Sequence, residues 1–560
     1  MKLNIISKFA FCTTLILALS ACELTNLDIN NDPNNPTVAS PKLLLPSAEF
    51  AVVNAMTAMN QTGSGFAGMM SVSDNYNLNN QSYNGTWNGF YRSMSNVESL
   101  IKGTQASPHY LGIAQTLKAM AMGNFVDQFG DCPYSEAWKA TDGIVAPKFD
   151  KDSDIYESLI KLCDEAVVNL AKTTPQPVAT GTTGGDFMYN GNIARWSRLA
   201  KTVKLKLLFN ARKGRTNGNA ELNAAIAAGG YITATADDFT FRYSTGTAPE
   251  GRHPWFQQAY LADNGFAYPS HQLMEEMIFN KDPRLPFYFY RQTSTILDEK
   301  NPTDRGTIPF GGTYLPTKPA FLAKWERTFG AKPNAADLAY IAGFFGRDRG
   351  DNTGVPQDGA LRTAPGCYPA GGLYSGREIA ARALTGGRGS GNGIDPILTS
   401  NNVKYMQIEA ILDGGGTGDA KALFEAAIRE HISAVINLGL AVDAANAKAP
   451  AAADVNAYVT AQLKAYDDAS SPSAKLNVIT KQQWFSSWGQ GSQIWNTMRR
   501  TGFPTTINNP ILRPSRQFAL RLPYASQEAD LNPNGKTKVS EIIFDRDPVF
   551  WDKVKLKWEF

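Results

Sequence analysis

The chain has 560 residues but only five cysteines and four histidines, too few to staple a fold or to build a metal centre of the common kinds. Cys12 and Cys22 belong to the N-terminal leader and its end, which leaves Cys132, Cys163 and Cys367. That is an odd set for a chain bound for an oxidising compartment. At most one internal disulfide can form, and Cys163, on the apolar face of an expected helix, reads as a buried free thiol. His109, His253, His271 and His431 are widely separated, and none stands at metal-ligand spacing from another His, Cys or Glu. His431 falls on an apolar helical stripe, where packing outweighs catalysis. Charge of one sign is also lacking: 54 basic residues face 51 acidic ones, for a net charge of +3. Without Lys2 and Lys8 of the leader it is near +1, so nothing argues for nucleic acid.

Nucleophile and phosphate motifs are missing too. There is no G-x-S-x-G elbow. Gly535-Lys536-Thr537 has the tail of a phosphate loop, but Asp530 stands where its first glycine should be. Gly387 to Gly393 is glycine-rich without a preceding strand, and Arg349-Gly350-Asp351 matches an adhesion tripeptide at chance frequency. These absences do not remove a glycosidase, because its two carboxylates need a spatial separation rather than a sequence spacing. After the leader no run of eighteen apolar residues occurs, so the polypeptide is not expected to cross a membrane again.

What the chain does have begins with that leader. Lys2 and Lys8 form a basic head, Phe9 to Leu19 an apolar run too short to span a bilayer, and Leu19-Ser20-Ala21-Cys22 a small-residue approach to a cysteine. The order resembles a bacterial lipoprotein signal, with residues 1–21 removed and Cys22 acylated; an ordinary secretory signal with a chance cysteine is the alternative. Each buried methylene contributes about 0.8 kcal/mol, so two or three acyl chains anchor a protein where one would not. Residues 22–40, rich in Asn, Asp and Pro, read as a tether.

From about Ser47 helical periodicity dominates. Ile155, Leu159, Leu162, Ala166 and Leu170 make one stripe, with Asp154 and Glu157 near its start. Ile193, Trp196, Leu199, Val203 and Leu207 make a second. Ala420, Leu423, Phe424, Ala427, Ile428, His431 and Val435 make a third. Ala114 to Phe129 is apolar on nearly all sides and predicts a helix buried on several faces, stopped at Gly130 by a left-handed cap. Successive helices of this size suggest stacked pairs, although no clean 34-residue repeat is present. The chain therefore divides into a helical scaffold at about 41–212 and 401–445, a loop-rich ligand region at about 213–400, and a C-terminal segment 446–560. Within the loop-rich part, Phe239 to Tyr243 alternates aromatics as a strand would.

Aromatic and amide residues mixed in polar segments supply the affirmative chemical signal. Asn75 to Tyr91 holds six asparagines with Tyr76, Tyr83, Trp87, Phe90 and Tyr91. A sugar ring has an apolar C–H face and a rim of hydroxyls, so flat rings below and amides beside it suit oligosaccharides. Candidate ligand residues are Tyr83, Trp87, Tyr314, Trp325 and Tyr374. Trp87 and Tyr91 also fall at helical spacing with Met94 and Ile101, which favours a core role for both.

Several segments in order resemble the SusD/RagB-like family of outer-membrane nutrient-uptake lipoproteins, specifically its SusD-like branch. They are Asp28 to Thr37, Leu43 to Ala48, Phe125 to Tyr134, Asp154-Ile155-Tyr156, Tyr189 to Asn192 with Trp196, Asp282-Pro283-Arg284, Gln483-Trp484, Trp495 to Gly502 and Arg521 to Tyr524. Cys132 departs from the pattern, standing where the family usually has an aliphatic residue. The resemblance implies a mostly α fold, with tetratricopeptide-like helix pairs as scaffold, long irregular loops and a few short strands. It implies a single SusD-like domain over 41–560, no catalysis, and no cofactor. It further implies a SusC-like TonB-dependent transporter as partner, and a glycan or, in some members, a peptide as cargo. Outward display on the outer membrane is expected, although only Glu23 and Asp28 supply acidity behind the anchor. The rival from another class is a lipid-anchored glycoside hydrolase.

Overall fold

The computed structural model describes residues 39–71, 83–104, 107–180, 185–261, 268–298, 300–305, 319–349, 361, 363–376, 389–511 and 518–557. Helices of seven residues or more are numbered in chain order. The first group is α1 (Pro41–Phe66), α2 (Asn84–Gly103), α3 (Pro108–Phe129), α4 (Asp152–Leu170), α5 (Ile193–Ala211) and α6 (Gly218–Ala228). Neighbours in sequence are neighbours in space: α1 packs on α2, α3 on α4, and α4 on α5. Of the expected stripe of α4, Ile155, Leu159, Ala166 and Leu170 are buried and Leu162 is half-buried, with Cys163 buried beside it, and Asp152 and Asp154 in the first turn complement the helix dipole. Asn192 caps α5 by accepting the Arg195 N–H at 3.1 Å.

Helix α3 is buried on almost every side because other helices surround it. Two glycines permit this crowding. A Cβ added at Gly112 would lie 2.7 Å from Leu170 Cγ, and one at Gly123 would lie 2.7 Å from Leu207 Cδ2. Helix α3 stops at Gly130, as the sequence predicts, with φ 72° and ψ −132°. That ψ lies outside the left-handed helical well, so the cap is a glycine-only extended turn rather than the expected one.

The middle of the chain contributes α7 (His271–Phe279), α8 (Pro319–Phe329) and α9 (Ala335–Ile341). Its strands are short: β1 (Met70–Ser71), β2 (Phe239–Arg242), β3 (Tyr268–Pro269), β4 (Phe289–Arg291), β5 (Thr363–Pro365) and β6 (Ile394–Leu398). They form antiparallel pairs β1–β3, β2–β6 and β4–β5. In β2–β6, Arg242 faces Ile394 and Phe239 faces Leu398, with an irregularity after Phe239. The strand predicted at Phe239 forms because its ring buries against Tyr189 and Trp196.

Helices resume with α10 (Ser400–Asp413), α11 (Ala420–Val442), α12 (Ala452–Asp468), α13 (Pro472–Ser486), α14 (Gly491–Thr501) and α15 (Pro533–Glu541). Helical packing thus runs well past residue 445, and α14 lies against α1. The fold is mostly α with short strands, and among the described residues no helix is long and apolar enough to cross a membrane.

Buried polar side chains tie the helices together. Asp127 on α3 accepts from Asn210 Nδ2 at 2.9 Å, Asn496 Nδ2 at 2.8 Å, Trp551 Nε1 at 2.9 Å and the Tyr156 hydroxyl. Four distant parts of the chain therefore meet on one carboxyl, which burial holds above the usual carboxylate range. His431 is buried, and burial lowers its pKa well below the ordinary value; its Nδ1 accepts from Arg284 Nη1 at 3.3 Å. Cys132, Cys163 and Cys367 are buried free thiols whose pKa burial pushes up, so they are not reactive nucleophiles.

Candidate functional site

A cleft of about 740 Å³ opens where the end of α7, helices α8, α9 and α12, and residues 374–376 converge. Its floor is set by how α7 ends. The Lys281 N–H bonds Ile278 O at 3.0 Å and the Asp282 N–H bonds Met277 O at 2.9 Å. This paired pattern closes a helix when the residue before last takes a positive φ; Lys281 does so at φ 52°. Pro283 then prevents the helix from resuming. The Asp282 carboxylate accepts from Arg284 Nε at 2.8 Å, Arg284 Nη2 at 2.5 Å and the Tyr458 hydroxyl at 2.8 Å. The acidic group at the base of the cleft is therefore compensated by a buried guanidinium. Burial, followed by Asp282, pushes the Tyr458 pKa well up.

One buried arginine fixes two of the walls. Arg291 donates through Nη1 to the carbonyls of Ala339, Tyr340 and Ala342, each at 2.9 Å. Through Nη2 it reaches Gly376 O at 2.8 Å, and through Nε Ser375 Oγ at 3.1 Å. It satisfies the free carbonyls at the end of α9 and joins that helix to the segment carrying Tyr374. Tyr374 is further held by its own N–H on Asp443 Oδ2 at 3.0 Å and by its ring, edge-on to Phe287 at 4.9 Å. At the other end of α9, Asn334 and Asp337 form a capping box. Tyr340 and Tyr374 are both half-buried, and each keeps part of its ring towards the cleft.

The opposite wall is aromatic. Phe321, Trp325 and Phe329 recur along one face of α8 and meet Phe279 of α7, with Trp325 and Phe329 4.4 Å apart and Phe279 and Phe329 nearly parallel at 6.1 Å. Trp325 is only 3% exposed and lines the cleft from within this cluster, whereas Phe329 is half-buried. The Lys281 ammonium lies 4.9 Å from the Phe329 ring centre. Partly open rings beside amides, carboxylates and one lysine can hold a molecule with apolar faces and a hydroxylated rim.

Of the residues singled out by sequence, Trp325 and Tyr374 are brought into this cleft. Trp87 lies elsewhere: it is 1% exposed, ringed by Phe125 and Phe129 at 5.1 Å, and donates its indole N–H to Glu528 at 3.0 Å. It has no open face to offer and serves as core, in keeping with its helical spacing. Tyr83 precedes α2 and is 8% exposed, remote in sequence from the cleft wall and largely covered. Tyr314 and Cys22 lie outside the described residues. Phe329, Tyr340, Lys281 and Asp454 were not marked by the sequence, although Phe329 repeats the Trp325 position one helical turn on. Among the described residues no cluster of His, Cys, Asp and Glu could hold a metal ion.

Residues 33–312 and 375–525 match the family model of SusD-like proteins, described as starch-binding and associating with outer membrane. A SusD homologue from Bacteroides fragilis is similar over 92% of this chain and 99% of its own, with a TM-score of 0.66 and 19% identity. A SusD/RagB family protein from Bacteroides thetaiotaomicron gives a TM-score of 0.65 at 16% identity over 92% and 99% of the two chains. A chitin-binding SusD homologue from Flavobacterium johnsoniae gives 0.61 at 15% over 90% and 98%. At these identities the likeness to solved structures is one of fold. No curated protein matches the chain significantly.

Proposed function

The chain belongs to the SusD-like family of outer-membrane nutrient-binding proteins, and from that premise we propose that it is a lipid-anchored glycan-binding protein that captures an oligosaccharide in the Trp325–Tyr374 cleft without cleaving it. The observation that carries the reading is the convergence of partly open rings, Phe329, Tyr340 and Tyr374, on one cleft with amide and charged groups at its margin. Sugar C–H faces pack on such rings and the ring hydroxyls meet the polar margin. Trp325 stiffens the wall from behind. The lipid anchor is Cys22, and delivery goes to a SusC-like TonB-dependent transporter, the partner that the family resemblance implies.

Binding rather than catalysis agrees with the way the cleft is built. Its most buried carboxylate, Asp282, is engaged by Arg284 and Tyr458, which suits a structural role better than proton transfer. Calorimetric titration with starch-derived and chitin-derived oligosaccharides, paired with a reducing-end assay, tests the reading. Saturable binding without new reducing ends supports it. Release of reducing ends would instead favour the hydrolase, and binding of peptides alone would favour a peptide cargo. Co-purification of a barrel transporter with the membrane-attached chain tests the partner.

A further inference from the structure

Lys281 sits at the one position of the α7 terminal turn where glycine would be free of strain. Its φ of 52° is in the left-handed region, which a residue with a side chain occupies at a cost and glycine does not. Strained residues that persist tend to be ones whose side chain is needed where the strain puts it, and Lys281 is exposed at the lip of the cleft. Its ammonium is drawn over the face of Phe329 at 4.9 Å, which keeps it over the opening. Among the described residues it has no ion-pair partner, so the donors of its ammonium are left for a ligand.

The charges around it narrow the chemistry. The Arg284 guanidinium is taken up by Asp282, and the donors of Arg291 by carbonyls and Ser375. That leaves Lys281 as the cation with open donors in a cleft that Asp337 and Asp454 also line. A sugar hydroxyl both donates and accepts, so a neutral ring can satisfy the lysine and the carboxylates together. Arg291 keeps its charge at the cleft wall but has its donors committed to carbonyls and Ser375, so a uronate would find one cation with open donors, Lys281, against two carboxylates.

Resting on the glycan reading above, we infer that Lys281 is a ligand-contacting residue, that it donates to the hydroxyls of an uncharged sugar ring, and that the fold carries backbone strain at this turn to hold it there. The test uses the full chain in detergent as wild type, Lys281→Gly, Lys281→Met and Tyr374→Ala. Each is titrated with malto-, chito- and galacturono-oligosaccharides and unfolded in urea. Both lysine variants should bind the preferred neutral glycan about tenfold more weakly, the loss of one hydrogen bond to a charged donor. Lys281→Gly should also unfold at higher urea than wild type, while Lys281→Met, which keeps the strain, should not. Wild-type affinity in both lysine variants, with Tyr374→Ala impaired, would overturn the assignment of Lys281 and leave the cleft standing. Preference of the wild type for the galacturonate would overturn the uncharged ligand. A wild type that binds no saccharide would overturn the glycan reading itself.

Discussion

Arg500 donates to both carboxylate oxygens of Glu409, from Nε to Oε1 at 2.6 Å and from Nη2 to Oε2 at 2.9 Å. Arg212 adds a third contact, Nη2 to Oε1 at 2.7 Å, and all three side chains are buried. This one carboxylate joins α10 and α14 to the turn after α5. Burial alone would raise its pKa, but Arg500 and then Arg212 hold it down at about 2.

Glu409→Gln should therefore destabilise the protein by about 3 to 5 kcal/mol, because two buried guanidinium groups lose their counter-charge. The pH dependence has a definite sign. A carboxyl whose pKa is lower in the folded state contributes stability above its unfolded value near 4.5, and this contribution is lost as pH falls towards 2. Urea unfolding between pH 3 and 7 should show wild-type stability falling more steeply with acid than that of the variant. Equal stability of the two at pH 7 would contradict the role given to Glu409.

Glu49 and Asp186 present the opposite case. Asp186 accepts the N–H groups of Met188, Tyr189 and Gly191 and the Trp196 indole, while Glu49 is buried beside it. Burial first, and the neighbouring Asp186 second, hold the Glu49 pKa well above 4.5. Glu49 thus stays protonated in the fold when it would ionise in the unfolded chain, and its contribution to stability decreases as pH rises above about 4.5. Glu49→Gln should remove that slope, so the stability of the variant relative to wild type should improve from pH 5 to pH 8. A constant difference across that range would refute a Glu49 held protonated by its burial.

Trp87→Ala should lower stability by about 3 to 5 kcal/mol through the cavity it leaves among Phe125, Phe129 and Tyr524. Glycan affinity, measured where the variant is still folded, should not change. A folded Trp87→Ala with weakened binding would return this residue to the ligand face.

Cys22→Ala should abolish membrane attachment, since the anchor proposed is covalent lipid and among the described residues no helix is long and apolar enough to span a bilayer. Fractionation after a salt wash decides it: variant protein still in the membrane pellet would refute the lipid anchor.

Helices such as α4 and α5 are legible in sequence because one apolar stripe faces one core. Helix α13 is not. Thr480, Gln482, Gln483 and Ser486 are buried despite their polarity, and Gln482 accepts from the Tyr458 hydroxyl at 2.9 Å while donating to Gln462 at 2.8 Å. Polar groups satisfied in the interior erase the periodic signal, which is why the packing beyond residue 445 is not legible in the sequence. The motifs that carried the family resemblance are, in large part, these same internal ties: Asp127, Asp282 with Arg284, and Arg499 with Arg500. Arg499, for example, is buried and donates to Leu520 O at 2.8 Å. They mark the scaffold and not the cargo. The cleft was only half legible, through Trp325 and Tyr374, because its other residues come from separate segments that only the fold brings together. Tyr340 is placed by Arg291, a contact that no local spacing announces.

The most direct test of the account is calorimetry of Tyr374→Ala and Phe329→Ala against a neutral oligosaccharide that the wild type binds, with circular dichroism as a check on folding. Each lost ring face should cost roughly 1 to 2 kcal/mol, about a tenfold loss of affinity, with an unchanged spectrum and no reducing ends released by any form. Undiminished affinity in both folded variants would contradict the cleft as the place where this protein holds its ligand.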